Sequence, residues 1–290
     1  MKLRNKIFKK KRQFYVVCSL ILFLILLNSC LTLRKTDKQI NRIFNKKGQT
    51  IKIYHETIDE HNIRYIIDKE YNKNLKTILF VHGAPGSLTD YIKYFQDTIL
   101  REKANLITVD RLGYGFSEYG KPETSIAKQA IILNKITEKF DNNKTILVGW
   151  SYGGPIIAKM AIENPNYQHL VLLAPAVSPN DEKYFWIGNF AKWKTTKWLV
   201  PTPFVVAEAE KLSHQKELEK LEKEWQKLKT PITYFHGDKD MLVPYENLSY
   251  LKLKIDTTIL KTITLKGKNH FIPFTEFDKI KKALIKLLDK

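Results

Sequence analysis

The sequence predicts an α/β fold in which a mostly parallel, eight-stranded sheet is covered by helices on both faces. Two observations lead to this prediction. Short, continuous apolar runs alternate with amphipathic stretches along most of the chain, and such runs are typical of parallel strands that are buried on both faces. A segment of alternating polar and apolar residues precedes them and indicates an antiparallel hairpin.

The hairpin supplies the first two strands. Ile51 and Ile53 alternate with polar residues on one side of residues 59–61, and Ile63 and Ile67 do so on the other side. The remaining strands are expected at 77–81, 106–109, 145–148, 170–173, 232–235 and 259–265. Helices are expected at 90–103, 125–140, 152–163, 245–255 and 275–289.

One long interval breaks this alternation. More than fifty residues without a strand pattern lie between the strands expected at 170–173 and 232–235. An apolar stripe at helical spacing is formed there by Leu218, Leu221, Trp225 and Leu228. Six Tyr, Phe and Trp residues lie upstream, between 184 and 198, and we expect most of them to form the core of this unit. We predict a small helical cap at about 178–229, over the strand ends where open α/β sheets bind ligands.

The positive charge of the chain is concentrated at its N-terminus. The 290 residues carry a formal net charge of +19, and residues 1–47 contain thirteen Lys and Arg against one acid, Asp37. The rest of the chain lacks the stripe of arginine and aromatic residues that binds nucleic acid, so no nucleic-acid partner is expected. Because both cysteines, Cys18 and Cys30, lie near this terminus, the body is expected to lack disulfides, thiolate metal sites and a cysteine nucleophile.

Residues 1–30 have the composition of a membrane-directing leader. Residues 2–12 are strongly basic, and the apolar run at 14–27 is shorter than the roughly 20 residues that span a bilayer. Residues 27–30, LNSC, resemble a bacterial lipoprotein signal, which implies cleavage before Cys30 and lipidation of that cysteine. An uncleaved anchor is the alternative. Either way, residues 31–49 form a basic tether or short helix, and the body at 50–290 is expected at the cell envelope, on the non-cytoplasmic side of the membrane.

Residues 149–153, with the sequence GWSYG, follow an expected strand and begin an expected helix. In this setting the pattern G-x-S-x-G predicts a nucleophilic serine on a sharp, strained turn. Ser151 is therefore the candidate nucleophile.

Four further segments resemble motifs of the α/β-hydrolase family. Residues 82–86 (HGAPG) resemble its oxyanion loop, and residues 110–117 (DRLGYGFS) resemble the loop after the next strand. Residues 237–244 (GDKDMLVP) resemble the loop that carries the catalytic acid, and residues 267–270 (GKNH) supply a histidine. Serine, acid and histidine occur in the chain order of that family. The resemblance covers about residues 50–290.

Chemical roles can be assigned to these candidates. A serine hydroxyl needs a neighbouring neutral imidazole to take its proton, and we expect His270 to be that base. Asp240 is expected to orient the imidazole, with Asp238 as the competing candidate. The backbone N–H groups of Ala84 and Tyr152 are expected to bind the oxyanion. Since nucleophile and base are side chains, no cofactor and no metal ion is expected.

Other polar residues receive structural roles. Asp110 is expected to brace its own loop, and His82 and His236 are expected to be structural loop residues. The remaining histidines, expected at the surface, are His55, His61, His169 and His214.

The function predicted from these residues is that of a serine hydrolase acting on a small-molecule acyl substrate. It would cleave an ester, a thioester or a related bond through an acyl-serine. A peptidase similar to proline iminopeptidases and a ligand-binding protein with little turnover are the alternatives. The residues indicate neither the acyl and leaving groups nor an oligomeric state.

Overall fold

The computed structural model describes residues 11–23, 25 and 31–290. Residues 11–23 are helical and exposed. Within the described ranges, no helix has the length and apolar character needed to cross a bilayer. The predicted cleavage and lipidation site at Cys30 lies outside the described residues.

An eight-stranded sheet forms the centre of the molecule, with strand order β1-β2-β4-β3-β5-β6-β7-β8. Strands β1 and β2 form an antiparallel hairpin, β2 pairs antiparallel with β4, and all other pairs are parallel. The strands are β1 Lys52–Ile58, β2 His61–Ile67, β3 Lys76–Val81, β4 Ala104–Val109, β5 Thr145–Trp150, β6 His169–Leu173, β7 Ile232–Gly237 and β8 Leu260–Leu265. The predicted fold class is confirmed.

Helices cover both faces of this sheet. They are α1 Asp37–Asn45, α2 Ile92–Phe95, α3 Thr98–Lys103, α4 Ile126–Thr137, α5 Gly153–Glu163, α6 Asn189–Lys192, α7 Thr202–Glu222, α8 Glu246–Lys254, α9 Ile272–Thr275 and α10 Phe277–Leu288. Helices α4, α5, α7 and α8 pack on one face, and α1, α2, α3, α9 and α10 pack on the other.

Strand β3 shows why continuous apolar runs predicted buried strands. Its side chains alternate between faces, so that Leu79 and Val81 enter one core while Ile78 and Phe80 enter the other. All four side chains are fully buried. A strand with helices on both faces therefore has no solvent-facing position at which a polar residue would be favoured.

The helix expected at 90–103 is divided into α2 and α3. Asp97 interrupts it, because its carboxylate accepts a hydrogen bond from the backbone N–H of Leu100 at 3.0 Å and caps α3. An internal cap of this kind competes with the continuous helix that apolar periodicity alone suggests.

Helix α1 lies in the segment predicted to be a basic tether or short helix. Thr36 begins it with a capping box, in which its hydroxyl accepts from the Gln39 N–H. Ile40 and Phe44 are fully buried in the same core as α10. This part of the segment is packed against the body.

The cap consists of short turns, helix α6 and the 21-residue helix α7. The stripe predicted from Leu218 to Leu228 is buried against the helices of one sheet face. The aromatic residues expected to form the core of the cap are instead exposed, and that expectation is wrong. The apolar stripe near the end of α7 packs on the sheet side, so no layer remains to cover the turns between 184 and 198.

One buried carboxyl gives the fold a pH dependence. Burial raises the pKa of Asp68 to about 6, although the Leu106 N–H donates to its Oδ1 at 2.7 Å. Since this pKa lies above the ordinary value of about 3.9, the folded state binds the proton more tightly than the unfolded state between about pH 4 and pH 6. The stability contributed by this proton is present at low pH and is lost as the pH rises through that window.

We therefore expect Asp68→Asn to remove part of the pH dependence of stability. Between pH 4 and pH 7 the wild type should lose roughly 2–3 kcal/mol of unfolding free energy relative to the variant. Urea unfolding of both proteins at the two pH values measures this difference. Equal changes in both proteins would contradict the assigned proton.

Candidate active site

Ser151 lies on a strained turn between β5 and α5. Its φ is +54°, in the left-handed region that non-glycine residues rarely adopt. Three backbone hydrogen bonds hold it there. Its N–H donates to the Leu173 carbonyl at 3.0 Å, and its own carbonyl accepts from the N–H groups of Gly154 at 2.9 Å and Ala176 at 3.2 Å. Strain of this kind clusters at functional sites, where the surrounding structure maintains it.

The glycines around Ser151 allow three backbone segments to approach closely. A Cβ on Gly153 would lie 2.5 Å from the Val81 carbonyl oxygen at the end of β3. A Cβ on Gly149 would lie 2.5 Å from the Gly153 carbonyl oxygen. Both distances are far below van der Waals contact, so a side chain at either position would displace the turn.

His270 and Asp240 form a buried pair. The Nδ1 of His270 is 2.7 Å from the Oδ2 of Asp240. The other carboxylate oxygen accepts from the N–H groups of Leu242 at 2.9 Å and Val243 at 2.8 Å. Asp240 can therefore fix the imidazole with Nδ1 protonated, which leaves Nε2 available as a base.

The charge of Asp240 is stabilised by a second histidine. Burial by itself raises the pKa of Asp240, but hydrogen bonds from His236 and then His270 outweigh this effect and hold that pKa well below its usual range. His236 Nε2 must carry a proton, because it donates to the Val243 carbonyl at 3.0 Å, and it lies 3.3 Å from Asp240 Oδ2. His236 therefore has a structural role, as expected, and that role supports the Asp240 carboxylate.

Asp238 has a different position. Its Oδ1 accepts a hydrogen bond from the Gly267 N–H at 2.6 Å, and the residue is exposed. The structure thus brings Asp240, and not Asp238, against His270.

The histidine is held next to the serine turn. The indole N–H of Trp150 donates to the His270 carbonyl at 3.0 Å, and the two rings are 5.4 Å apart. Among the described residues, the Ser151 hydroxyl makes no hydrogen bond to His270. Such bonds are often long without substrate and shorten in the reacting complex.

The two candidate oxyanion donors are free to bind a substrate oxygen. In the described part of the chain, neither the Tyr152 N–H nor the Ala84 N–H has a hydrogen-bond partner. Tyr152 directly follows Ser151, and a Cβ on Gly83 would lie 3.1 Å from the Ser151 Cβ. The loop that carries Ala84 is therefore in contact with the serine turn.

The sequence did not reveal what positions that loop. Arg111 is fully buried, and its guanidinium donates to the carbonyls of His82 at 3.0 Å and Gly83 at 2.9 Å. The same guanidinium pairs with the buried Glu210 of α7 at 2.6 Å. Tyr114 also donates its hydroxyl to Glu210, at 2.6 Å. The only sequence signal was an arginine directly after Asp110.

His82 is confined to a structural role by this network. Its Nε2 accepts a hydrogen bond from the backbone N–H of Arg111 at 3.0 Å. The proton of the ring must therefore be on Nδ1, which donates to the Gly83 carbonyl at 2.7 Å. Burial and then the Arg111 charge lower the pKa of His82 well below its usual value. A neutral imidazole with both nitrogens occupied has no free position for a substrate proton.

Two other expectations have clear outcomes. Asp110 braces its loop, since its buried carboxylate accepts from the N–H groups of Leu88 and Phe116, both at 2.9 Å.

The expectation that His214 is a surface residue is wrong. It is buried, its Nδ1 is 2.7 Å from Glu182 Oε1, and its ring stacks on Tyr152 at 4.5 Å. Its sequence neighbours are mostly polar and gave no sign of this burial.

Three comparisons place the chain among known proteins. A family model described as the alpha/beta hydrolase fold matches residues 76–203. A probable 1-acylglycerol-3-phosphate O-acyltransferase of Oryza sativa subsp. japonica is 27% identical over 169 residues, which cover 54% of this chain and 40% of that protein. The chain thus spans well under two thirds of the length of this curated relative.

Solved structures match over longer stretches at lower identity. A membrane phospholipase A, described as a bacterial virulence factor, superimposes with a TM-score of 0.66 at 16% identity, over 96% of this chain and 98% of that chain. A haloalkane dehalogenase of Agrobacterium tumefaciens also gives 0.66 at 16% identity, over 82% and 96% of the two chains. With the sheet order and the turn at Ser151, these matches show that the chain has the α/β-hydrolase fold.

Proposed function

We propose that this protein is a serine hydrolase that cleaves an ester, a thioester or a related acyl bond of a small molecule through an acyl-serine. The observation that carries the proposal is the buried His270–Asp240 hydrogen bond of 2.7 Å next to a serine on a strained strand-to-helix turn. This combination supplies the base and the orienting carboxylate that a serine nucleophile needs.

In the first half of the proposed reaction, the Ser151 Oγ attacks the acyl carbon while His270 Nε2 takes its proton. The N–H groups of Ala84 and Tyr152 stabilise the oxyanion that forms. Asp240 stays ionised and stabilises the imidazolium, which its low pKa favours. The intermediate then collapses, and His270 returns its proton to the leaving group.

In the second half, water attacks the acyl-serine. His270 takes a proton from that water, and the same N–H groups stabilise the second oxyanion. Collapse releases the carboxylic acid and restores the Ser151 hydroxyl. Every proton is carried by His270, and the sequence of steps is balanced without a cofactor.

Paired substitutions of the two aspartates test the assignment of the acid. Asp240→Asn should lower kcat by about ten-thousandfold, because the amide favours the wrong imidazole tautomer. Asp238→Asn is the matched control and should retain activity, since Asp238 contacts Gly267 instead of His270. Hydrolysis of a panel of p-nitrophenyl esters of graded acyl length provides the rates. Loss of activity in Asp238→Asn with an active Asp240→Asn would reverse the assignment.

Acyl transfer is the second candidate function, because the rice relative is named as an acyltransferase. An acyl-serine can pass its acyl group to an alcohol in place of water through the same steps. Product analysis in the presence of lysophospholipid or glycerol distinguishes the two, since a transferase forms a new ester where a hydrolase forms free acid.

Peptidase activity and ligand binding with little turnover remain the alternatives from the sequence. We also propose that the protein is located at the cell envelope and attached to the membrane through its N-terminus, either by lipidation at Cys30 or as an uncleaved anchor.

A further inference from the structure

The cap exposes an unusual group of large apolar side chains, which we call the aromatic face. Each of its members is between 39% and 75% exposed. They are Tyr184, Phe185, Trp186, Ile187, Phe190, Trp193 and Trp198. Contiguous apolar surface of this kind is rare on soluble monomers and marks an interaction site.

The segment that carries the aromatic face contacts helix α7. Phe190 lies between Trp186 and Trp193, with ring centroids 6.0 Å and 5.9 Å away. Gly188 packs against the Glu208 carboxylate of α7, and Lys192 pairs with the same carboxylate at 3.7 Å. The segment is thus attached to α7 through polar contacts, while its apolar side chains are exposed.

Lysine is the prevailing charged residue around the aromatic face, although Glu182 and Glu208 flank it and pair with Lys211 and Lys192. Between 183 and 207 the chain contains four lysines and no Asp or Glu. The lysines are Lys183, Lys192, Lys194 and Lys197. Aromatic rings beside lysines match the interfacial region of a membrane, where the rings lie at the level of the headgroups and the ammonium groups meet lipid phosphates.

The segment next to the aromatic face contacts the loop that carries Asp240. The Lys183 ammonium donates to the Met241 carbonyl at 3.4 Å, which joins the cap segment to the loop after Asp240. Met241 is 78% exposed, and Phe271, which directly follows His270, is also exposed. Exposed apolar side chains thus directly follow both Asp240 and His270 in the chain.

We propose that the aromatic face docks onto the headgroup region of an anionic lipid bilayer. Docking there presents the candidate active site to the membrane surface. The inference is independent of the reaction that Ser151 performs, because it depends on exposed rings and lysines alone.

Tryptophan fluorescence in vesicles tests this proposal in the full chain. The chain has five tryptophans, none of them before Trp150, so insertion of residues 1–30 does not contribute to the signal. Three belong to the aromatic face, whereas Trp150 and Trp225 are buried. Vesicles of phosphatidylglycerol with brominated acyl chains should quench the wild type, compared with unbrominated vesicles. Quenching should be lost in the variant Trp186→Ser/Trp193→Ser/Trp198→Ser.

Charge variants separate the anionic bilayer from other occupants. Lys194→Gln/Lys197→Gln should weaken docking by roughly fivefold per lysine, measured as quenching against phosphatidylglycerol content. The matched control Lys282→Gln/Lys286→Gln, on α10, should behave as the wild type. Absence of quenching in the vesicle-bound wild type would overturn the proposal and leave the face to a protein partner. Equal quenching on neutral phosphatidylcholine would overturn the requirement for anionic lipid.

Discussion

Replacing Ser151 with alanine is expected to abolish covalent labelling by a fluorophosphonate and to lower the rate of ester hydrolysis about a millionfold. The loss is large because the hydroxyl is the only group proposed to form a bond with the acyl carbon. His270 and the N–H groups of Ala84 and Tyr152 would remain, but they act on a reaction that no longer has its nucleophile. Mass spectrometry of the labelled protein and rates on the ester panel measure both effects.

Ser178→Ala is the matched control for this experiment. Ser178 is also buried, and its Oγ has no hydrogen-bond partner among the described residues, so its removal should cost little stability. This variant should be labelled as the wild type is. If Ser151→Ala remains labelled or active, another nucleophile performs the reaction and the proposed mechanism is wrong.

Removing Glu210 is expected to cost about 3–5 kcal/mol of unfolding free energy. In Glu210→Ala the Arg111 guanidinium stays buried without its opposite charge, and the Tyr114 hydroxyl loses its acceptor. Burial by itself lowers the pKa of Arg111, but the charge of Glu210 outweighs this effect and raises the pKa above its usual value. The carboxylate therefore stabilises the buried cation. Urea unfolding of the variant and the wild type in the same detergent measures the difference.

An exposed ion pair provides the comparison. Lys103 and Asp289 are 2.6 Å apart, but both side chains are about half exposed. Asp289→Ala should therefore cost no more than about 1 kcal/mol. Similar losses in the two variants would show that burial does not decide the strength of the Arg111–Glu210 pair. A partial recovery in Arg111→Met/Glu210→Leu would show that the unpaired charge causes the damage.

The sheet and its helices could be predicted from local pattern. Strands such as β3 and β5 are apolar without interruption because helices cover both of their faces. A continuous apolar run in the sequence therefore indicates a buried strand. The turn at Ser151 was also local, since its glycines are required by backbone contacts within a few residues and with the neighbouring strand end. The choice of Asp240 and His270 followed from the resemblance of residues 237–244 and 267–270 to motifs of the α/β-hydrolase family.

Two features depended on the tertiary structure. Arg111, Glu210 and His214 are polar residues in polar stretches, and their burial depends on which surface lies opposite each of them. The exposure of Trp186 and its aromatic neighbours likewise depends on α7, whose apolar stripe packs toward the sheet and leaves the preceding turns uncovered. Sequence pattern indicates how apolar a segment is, but burial also requires a partner surface, and only the packing of distant elements supplies one. The sheet and the serine turn could therefore be predicted from local pattern, whereas the support of the loop at Gly83 and the exposure of the aromatic face depend on how distant elements pack.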